Sequence, residues 1–304
     1  MGYHISYKIY SYFYIDFMIN KYMFRKGICL LVIIFLAGCG LENELTGFAV
    51  GIIEEPSTNL VKETPTKTTD SIKLASFNIQ TLGKSKVSKD LVKQHLPNII
   101  NQFDVILIQE LRDISPTTLD TLKLWFPEYD FLVSERLGRS SSKEQYILMY
   151  KVGQVHSDYV YNDFNDVFER EPHIILFELY NNNVTLINNH IKPSDALNEI
   201  VKLEQVINDA IATNKDNDFF LVGDLNADCS YYDEDLDHLR QYNWIIGNDA
   251  DTNLAKSSCS YDRIISNMQV SNSGIYNFQE ELGITMEEAK VISDHYPVWI
   301  EITS

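Results

Sequence analysis

From residue 71 onward the sequence predicts a layered domain of the α/β or α+β class, in which helices cover β-sheets. Short apolar runs that end in polar residues recur along this part of the chain and indicate strands. Longer segments carry apolar residues at helical spacing. The chain has 304 residues, 45% of them hydrophobic and 22% charged, which is typical of a globular protein with a sizeable core.

Eight apolar runs are predicted to be central strands, because β-forming residues fill them continuously or in alternation. They begin at Ile72, Asp104, Tyr146, Ile174, Val184, Phe219, Tyr261 and Val298. Helices are predicted over residues 86–102, 116–125, 195–213 and 285–289. In the first helix the apolar residues between Val87 and Ile100 recur at helical spacing, so we expect them to pack in the core. No internal repeat is found in the residues, which leaves open whether the domain has two similar halves.

Residues 1–38 are predicted to be an export signal. Basic Arg25 and Lys26 precede an apolar run over residues 28–35, which is too short to span a bilayer comfortably, and small residues follow. The motif Leu-Ala-Gly-Cys, which ends at Cys39, resembles a bacterial lipobox, in which the cysteine is acylated and becomes the first mature residue. A retained membrane anchor with an incidental cysteine is the alternative. Met23 is an alternative start, which would place residues 1–22 upstream of the protein.

Residues 39–70 are predicted to be the lipidated cysteine and a flexible linker, because residues 42–70 are rich in Thr, Glu and Pro and have little apolar surface to bury. The folded domain then covers residues 71–304. The formal net charge of −18 excludes a general basic surface for holding nucleic acid. For a polyanionic substrate, divalent cations and a few arginines must supply the positive field locally; otherwise the acidic charge only aids solubility.

The four cysteines are consistent with export. Cys29 lies in the apolar signal run and Cys39 is the predicted lipid site, which leaves Cys229 and Cys259 in the folded domain. Two cysteines in an exported protein most simply form one disulfide. Two free buried thiols are the alternative.

Six clusters of polar residues lie where the predicted strands end. They cover residues 76–80, 109–113, 143–145, 189–195, 223–228 and 293–297. Taken singly, each has a structural explanation, because Asp, Asn and Ser at strand ends commonly cap helices or form turns. Together they contain the side chains that phosphodiester cleavage needs. Carboxylate and amide oxygens can hold Mg²⁺ at a phosphate, and two histidines can deprotonate a water and protonate the leaving oxygen.

The predicted metal ligands are Glu110 and Asp294, with Asn78 and Asp224 beside the ion. The predicted catalytic histidines are His190 and His295, because both stand in these polar clusters. The other histidines, which are His4, His95, His156, His173 and His238, lack such surroundings and are expected to be surface or packing residues.

The order of the motifs resembles the endonuclease/exonuclease/phosphatase superfamily, and within it the deoxyribonuclease I type. The motifs are Phe-Asn-Ile from Phe77, Ile-Gln-Glu-Leu-Arg-Asp from Ile108, Ser-Glu-Arg-Leu-Gly-Arg from Ser134, Arg-Glu-Pro from Arg170, Pro-Ser-Asp-Ala from Pro193, Gly-Asp-Leu-Asn-Ala-Asp-Cys-Ser-Tyr from Gly223, Cys-Ser-Tyr-Asp-Arg-Ile from Cys259 and Ile-Ser-Asp-His-Tyr-Pro-Val from Ile292. The resemblance covers residues 72–302. It implies a four-layer α/β/β/α sandwich of two packed β-sheets flanked by helices.

The resemblance also implies roles for the catalytic residues. His295 with Asp262 would act as the base. His190 with Glu144 would act as the acid, although the two histidines could exchange roles. Asp224 belongs to the same catalytic set, and Asn226 and Arg170 would grip the scissile phosphate, the arginine as a fork of donors.

Contacts with DNA are expected at Arg112, Arg139 and Tyr261. The chain departs from the family pattern at Gln80, Ser142 and Gln145, where the family has an arginine, a tyrosine and an arginine that face the DNA groove. We therefore expect weaker duplex binding with a shallower salt dependence.

Two structural calcium sites are implied. One would use Asp166 and Glu171, and the other Asp251 and Asn253, although Asn253 and Ala255 stand where hydroxyl residues are usual. The family's larger disulfide loop implies a bond between Cys229 and Cys259. Its second, smaller loop is absent, since residues 158–171 contain no cysteine.

The leading hypothesis is an exported, lipid-anchored endonuclease that hydrolyses DNA with Mg²⁺ or Mn²⁺, assisted by Ca²⁺. We expect a monomer that prefers double-stranded DNA, with single-stranded DNA or RNA as alternatives, and that is held at the cell envelope or released. A sphingomyelinase-like or inositol-phosphate phosphatase of the same superfamily is the alternative enzyme. A surface protein that binds a partner through an inactive scaffold is the non-enzyme alternative, which predicts loss of a catalytic residue.

Overall fold

The computed structural model describes residues 71–233 and 235–303. The predicted signal over residues 1–38, the lipid site at Cys39 and the linker to residue 70 lie outside the described residues. No helix in the described part of the chain is both long and apolar enough to span a membrane.

Twelve strands in these residues form two six-stranded sheets. In chain order they are β1 (Ser71–Leu82), β2 (Val105–Leu111), β3 (Asp130–Val133), β4 (Gln145–Tyr150), β5 (Gln154–Val160), β6 (His173–Leu179), β7 (Asn182–Asn188), β8 (Phe219–Asp224), β9 (Asn243–Trp244), β10 (Asp262–Ser266), β11 (Asn272–Ile275) and β12 (Val298–Thr303). The first sheet has the order β11-β12-β1-β2-β4-β3, and the second β5-β6-β7-β8-β10-β9. The eight predicted strands form the interiors of both sheets, and the four that were not predicted are their edges.

Both sheets have the same pattern of strand pairing. In each, two central strands run parallel, β1 with β2 and β7 with β8, while all other neighbours are antiparallel. The domain therefore has two structurally similar halves, although the residues contain no repeat. Because parallel strands point the same way, the carboxyl ends of each central pair lie together at one edge of the sheet.

Helices cover the outer faces of the sheets. They are α1 (Lys84–Ser88), α2 (Asp90–Ile100), α3 (Thr117–Trp125), α4 (Ala196–Asn214), α5 (Phe278–Glu281) and α6 (Met286–Ile292). The helix predicted over residues 86–102 is two helices, because Lys89 adopts an extended backbone with φ −73° and ψ 135°. The other three predicted helices correspond to α3, α4 and α6. The short helix α5 was not predicted.

Three apolar clusters fill the spaces between the layers. The cluster between the sheets includes Leu74, Leu107, Leu148, Phe177, Phe220 and Ile300. The cluster between the first sheet and its helices includes Phe77, Leu96, Leu122 and Ile292, and the cluster under α4 includes Ile187, Ile200, Leu203 and Leu221. The predicted four-layer sandwich of helices, sheet, sheet and helix is thus confirmed.

The predicted disulfide between Cys229 and Cys259 is present, with 5.9 Å between the Cα atoms. It closes a loop whose ends lie 30 residues apart in the sequence. Cys229 follows β8 and Cys259 precedes β10, and these two strands are paired. The bond therefore fastens the segments that enter and leave this pair at the same end of the sheet.

We expect loss of this bond to lower the free energy of unfolding by about 3–4 kcal/mol, because an open loop of this length gains entropy in the unfolded chain. The double change Cys229→Ser with Cys259→Ser tests this in urea and thermal unfolding. Reductant should destabilise the wild-type chain and leave the double variant unchanged. Identical unfolding of the wild type with and without reductant would refute the expectation.

Candidate active site

The site begins where the inward-facing residues of the central strands change from apolar to polar. Along β1 the inward face reads Ile72, Leu74, Ser76 and Asn78, since alternate residues share a face. The strands β2, β7 and β8 make the same change, and their inward faces end at Gln109, Asn188 and Asp224. Between the sheets the Nε2 of Gln109 donates to Ser76 Oγ at 3.1 Å and to Asn188 Oδ1 at 2.7 Å. A buried polar layer therefore separates the apolar core from the site.

Three unusual backbone conformations shape this end of the sandwich. Gly223 has φ +143°, and a Cβ there would overlap the carbonyl oxygen of Asn189. Only glycine therefore allows β7 and β8 to approach so closely. Glu110 and Asn226 adopt φ values of 68° and 47°, in the left-handed region that such residues rarely occupy. Backbone strain of this kind is often found at functional sites.

His190 forms the first histidine–carboxylate pair. Its Nδ1 lies 2.8 Å from Oε1 of the fully buried Glu144. Its backbone N–H donates to the Tyr146 hydroxyl at 3.0 Å, and its carbonyl accepts from Arg170 Nε at 2.9 Å. Burial alone would lower the pKa of His190, but the charge of Glu144, the hydrogen bond to it and the charge of Asp224 together outweigh burial and raise this pKa above its usual value. Burial likewise acts to raise the pKa of Glu144, yet the charge of His190 and the bond to it hold that pKa low.

His295 forms the second pair. Its Nδ1 lies 2.7 Å from Oδ2 of the fully buried Asp262. Asp262 is held in turn by Thr252, whose Oγ1 accepts the Asp262 backbone N–H at 3.1 Å. Ser293 Oγ accepts the His295 N–H at 3.1 Å and donates to Asn78 O at 2.6 Å. Both imidazoles are thus oriented through Nδ1, which leaves each Nε2 for chemistry.

The two rings meet at Asp224. Its Oδ2 lies 3.4 Å from Nε2 of His190 and 3.6 Å from Nε2 of His295, and it accepts from Asn78 Nδ2 at 2.9 Å. Burial would lower the pKa of His295, but the charges of Asp262 and Asp224 raise it to about 10. These contacts bring both imidazole Nε2 atoms within 3.6 Å of one carboxylate oxygen.

Glu110, Asn78 and Asp294 fit the predicted metal ligands. Glu110 accepts from Asn78 Nδ2 at 3.4 Å through Oε1 and from the Thr81 N–H at 2.8 Å through Oε2. The Oδ1 atoms of Asn78 and Asp294 are buried without a hydrogen-bond partner. Buried oxygens are normally satisfied, so these atoms suit a divalent cation, which prefers carboxylate and amide oxygens.

Two other groups of metal-type side chains lie close together in the described residues. One is Asp224, Asp262 and His295, and the other is Asp228, Cys229 and Cys259. In the first, Asp262 and His295 already bond each other, which makes it a hydrogen-bonded set more than an open cage. In the second, the sulfurs form the disulfide and offer no thiolate. Neither replaces the predicted ligand set.

The expected substrate-binding residues differ in their surroundings. Arg170 lies in the site with its Nη2 buried and unpartnered, so this donor can reach a phosphate oxygen. Arg112 also lies in the site, where it pairs with Glu110 at 3.1 Å and Glu144 at 3.4 Å. The Nδ2 of Asn226 donates to Ile191 O at 2.9 Å. Arg112 therefore links Glu110, a predicted metal ligand, to the pair of Glu144 and His190.

Tyr261 packs beside the site, with its ring 6.4 Å from that of His295. Arg139 is not brought to the histidines; it pairs with Asp166 at 3.4 Å and approaches Glu169 at 3.9 Å. Gln80, at a position where the family has an arginine, donates from Nε2 to Asp294 Oδ2 at 2.7 Å. It therefore orients a predicted metal ligand.

The predicted calcium positions lie in two loops, and the second loop adjoins the site because Asn253 forms an isolated antiparallel β-bridge with His295. Glu171 lines a polar groove of about 420 Å³ together with Asp163, whose Oδ1 is buried and unpartnered. The carboxylate of Asp166 pairs with Arg139. In the second loop the backbone N–H of Asn253 lies 3.5 Å from Asp251 Oδ1, and its side chain accepts from Ala255 N at 2.8 Å. Asp163 was missed in the sequence, where nothing distinguishes it from neighbouring acidic residues.

The sequence also gave no signal for Tyr146 and Thr252. The hydroxyl of each residue accepts a hydrogen bond from a backbone N–H. Hydroxyl residues are common in strands and loops, so their presence in the sequence is not distinctive. Only their position beside His190 and Asp262 identifies them.

Comparison with known proteins agrees with this geometry. Residues 75–295 match the Endonuclease/Exonuclease/phosphatase family. The chain is 35% identical over 261 residues to Deoxyribonuclease-1 of Bos taurus, covering 77% of this chain and 93% of that protein. It is 36% identical over 256 residues to Deoxyribonuclease-1 of Homo sapiens, covering 75% and 91%.

Solved structures share the fold at low identity. Truncated Caenorhabditis elegans TDP2 matches with a TM-score of 0.57 and 16% identity, over 77% of this chain and 98% of that one. An endonuclease/exonuclease/phosphatase family protein from Bacteroides thetaiotaomicron matches with a TM-score of 0.53 and 17% identity, over 76% and 97%. The fold, the relatives and the motif order agree: the chain belongs to the endonuclease/exonuclease/phosphatase family, as a deoxyribonuclease-1-like member.

Proposed function

We propose that this chain is a divalent-metal-dependent endonuclease that hydrolyses phosphodiester bonds in DNA. The observation that carries the proposal is the pair of histidines, each bonded through Nδ1 to its own buried carboxylate, with both Nε2 atoms directed at Asp224. The curated relatives, of which the chain covers more than nine-tenths, are named deoxyribonucleases.

In the proposed reaction, Nε2 of His295 takes a proton from a water whose oxygen attacks phosphorus. The bond from phosphorus to the leaving sugar oxygen breaks, and His190 donates its Nε2 proton to that oxygen. Asp262 and Glu144 hold the two rings in the required tautomers. Exchange of the two roles is the alternative, because the two pairs have nearly the same geometry.

The remaining residues would bind the phosphate. Arg170 offers its unpartnered Nη2 to a non-bridging oxygen, and Asn226 lies beside Asp224. Glu110, Asp294 and Asn78 would hold a divalent cation, which when bound offsets negative charge on the phosphate oxygens. Mg²⁺ or Mn²⁺ is proposed because all these donors are hard oxygens. Ca²⁺ is proposed at Glu171, with Asp163 in place of the predicted Asp166, whose carboxylate pairs with Arg139, and at Asp251 with Asn253.

For its location, we propose a monomer that is exported and anchored through lipid on Cys39 to the cell envelope, or released from it. Mass spectrometry of the mature chain should find an acylated Cys39 at the amino terminus. A mature chain that begins at Met1 or Met23 would contradict this location.

The catalytic assignment predicts the behaviour of the full-length chain with supercoiled plasmid. We expect nicking with Mg²⁺, none with EDTA, and a rate lower by about 100- to 10,000-fold after His190→Ala or His295→Ala, since each change removes a proton-transfer group. His156→Ala, which changes a histidine paired with Glu178 on an edge strand, is the matched control and should leave the rate unchanged. Sphingomyelin and inositol phosphates are assayed in parallel. Hydrolysis of these with intact plasmid would refute the nuclease.

The acid pair predicts a shift in the pH profile. Glu144 raises the pKa of His190, so this histidine stays protonated above its usual pKa of about 6.5, and the alkaline limb of kcat/KM lies correspondingly high. Glu144→Gln removes the charge, so the alkaline limb should move to lower pH and the rate near pH 8 should fall. Glu178→Gln should leave the profile unchanged. An unmoved limb in Glu144→Gln would argue against His190 as the acid.

A further inference from the structure

Glu199 is a buried carboxylate that the proposed catalytic set does not include. It lies on α4 with no exposed surface, beside the core residues Ala196, Ile200 and Leu203. Burying a carboxylate is costly unless hydrogen bonds and nearby charges compensate it. An apolar residue would pack at this position without that cost.

Both oxygens of Glu199 accept backbone N–H groups from other segments. Its Oε1 accepts from Glu169 at 3.1 Å, and its Oε2 lies 3.4 Å from the N of Lys192. Glu169 immediately precedes Arg170, and Lys192 comes two residues after His190. One carboxylate on a helix thus fastens the two segments that carry the phosphate-binding arginine and the acid histidine.

Further contacts join these segments to each other. Arg170 Nε donates to His190 O at 2.9 Å, and Asn189 Nδ2 donates to Arg170 O at 3.1 Å. The side chain of Glu169 accepts from Ser140 N at 3.0 Å and lies 3.4 Å from Lys192 Nζ. Glu199 is the member of this network that is anchored on a long helix, α4, so it can fix the network to the scaffold.

The pKa of Glu199 also indicates that ionising a carboxylate at this buried position is unfavourable. Burial raises the pKa of Glu199 to about 7, while the N–H groups of Glu169 and Lys192 and the charge of Arg170 act to lower it. The charge of Asp195 acts to raise it. Burial therefore destabilises the ionised form of Glu199, and the two backbone segments that this carboxylate binds supply most of what stabilises it.

We propose that Glu199 is a positioning residue for Arg170, holding its guanidinium, and through it the His190 backbone, in the arrangement that phosphodiester cleavage requires. This inference rests on the proposed function. Displacement of a catalytic group by about 1 Å can cost up to roughly 100-fold in rate. Glu199 therefore acts on the rate without touching the substrate.

The first test is steady-state nicking of plasmid by the full-length chain at about pH 8.5, where wild-type Glu199 is ionised. Glu199→Gln keeps the shape but directs an amide NH₂ at one of the two backbone donors. We expect kcat to fall about tenfold, KM to change less than about twofold, and the chain to remain folded. Glu204→Gln, an exposed residue on the same helix, is the matched control and should leave both constants unchanged.

A double-mutant cycle tests whether the effect passes through Arg170. In the Arg170→Ala background, the added Glu199→Gln change should cost less than about twofold, because the group it positions is gone. Unchanged kcat in Glu199→Gln, or a tenfold loss that persists in Arg170→Ala, overturns the proposal. If Glu199→Gln does not fold, Glu199→Asp is used in the same cycle; it keeps the charge and shortens the side chain by one methylene.

A readout without activity separates this inference from the proposed function. In nitrogen-15 NMR, the Arg170 Nε–H should exchange slowly in the wild type and at least about tenfold faster in Glu199→Gln, because its acceptor is no longer held in place. Glu204→Gln should leave the exchange unchanged. Equal exchange in Glu199→Gln and wild type overturns the positioning role, whereas a wild-type chain that never nicks DNA refutes only the proposed function.

Discussion

The packing of the two sheets against each other is the constraint on which the site depends. His190 follows β7 of the second sheet and bonds Glu144, which precedes β4 of the first. His295 precedes β12 of the first sheet and bonds Asp262 at the start of β10 in the second. The contact between Asn78 and Asp224 also crosses between the sheets. Neither sheet alone contains a complete pair, so the apolar cluster between them sets the catalytic distances.

Charge balance is the second constraint. Five carboxylates gather in the site, those of Glu110, Glu144, Asp224, Asp262 and Asp294. Arg112, Arg170 and the two histidines pair with them, and the charge of Lys86 also acts on Glu110 and Asp294. Their summed charge favours the protonated form of His295, whereas a base must be neutral. A divalent cation at Asp294 would oppose that effect and favour the neutral ring. The excess of carboxylates therefore suits cation binding, and a bound cation would in turn favour the neutral His295 that the proposed base requires.

The sequence predicted the parts of the fold whose residues are buried on both faces. All eight interior strands were found as apolar runs. The edge strands β3, β9 and β11 were missed because they have only two to four residues, and β5 was missed because none of its residues is buried, so that it lacks a continuous apolar pattern. No Gly or Pro lies at the break between the two helices at Lys89, so the sequence does not indicate it. In the site, the candidate reactive and ion-binding side chains were predicted from their types at strand ends and from the family resemblance, and the structure brings His190, His295, Glu144, Asp262 and Asp224 together. Tyr146 and Thr252 were not predicted, because any hydroxyl that lies close enough can accept a hydrogen bond from a backbone N–H. Which hydroxyl lies close enough is determined by the tertiary structure.

The acidic net charge and the engagement of most side-chain donors within the protein limit how DNA can be bound. Arg112 is engaged by two carboxylates and Arg139 by Asp166, while Gln80 and Gln145 bond within the protein. Binding that depended on many phosphate contacts would need cations that these side chains do not offer. In the proposed mechanism the attraction would therefore be concentrated at the scissile phosphate, through Arg170 and through a divalent cation when one is bound. Since those groups act on the reacting phosphate itself, their binding energy can be expressed in the transition state more than in the ground state, which favours turnover over tight retention of DNA.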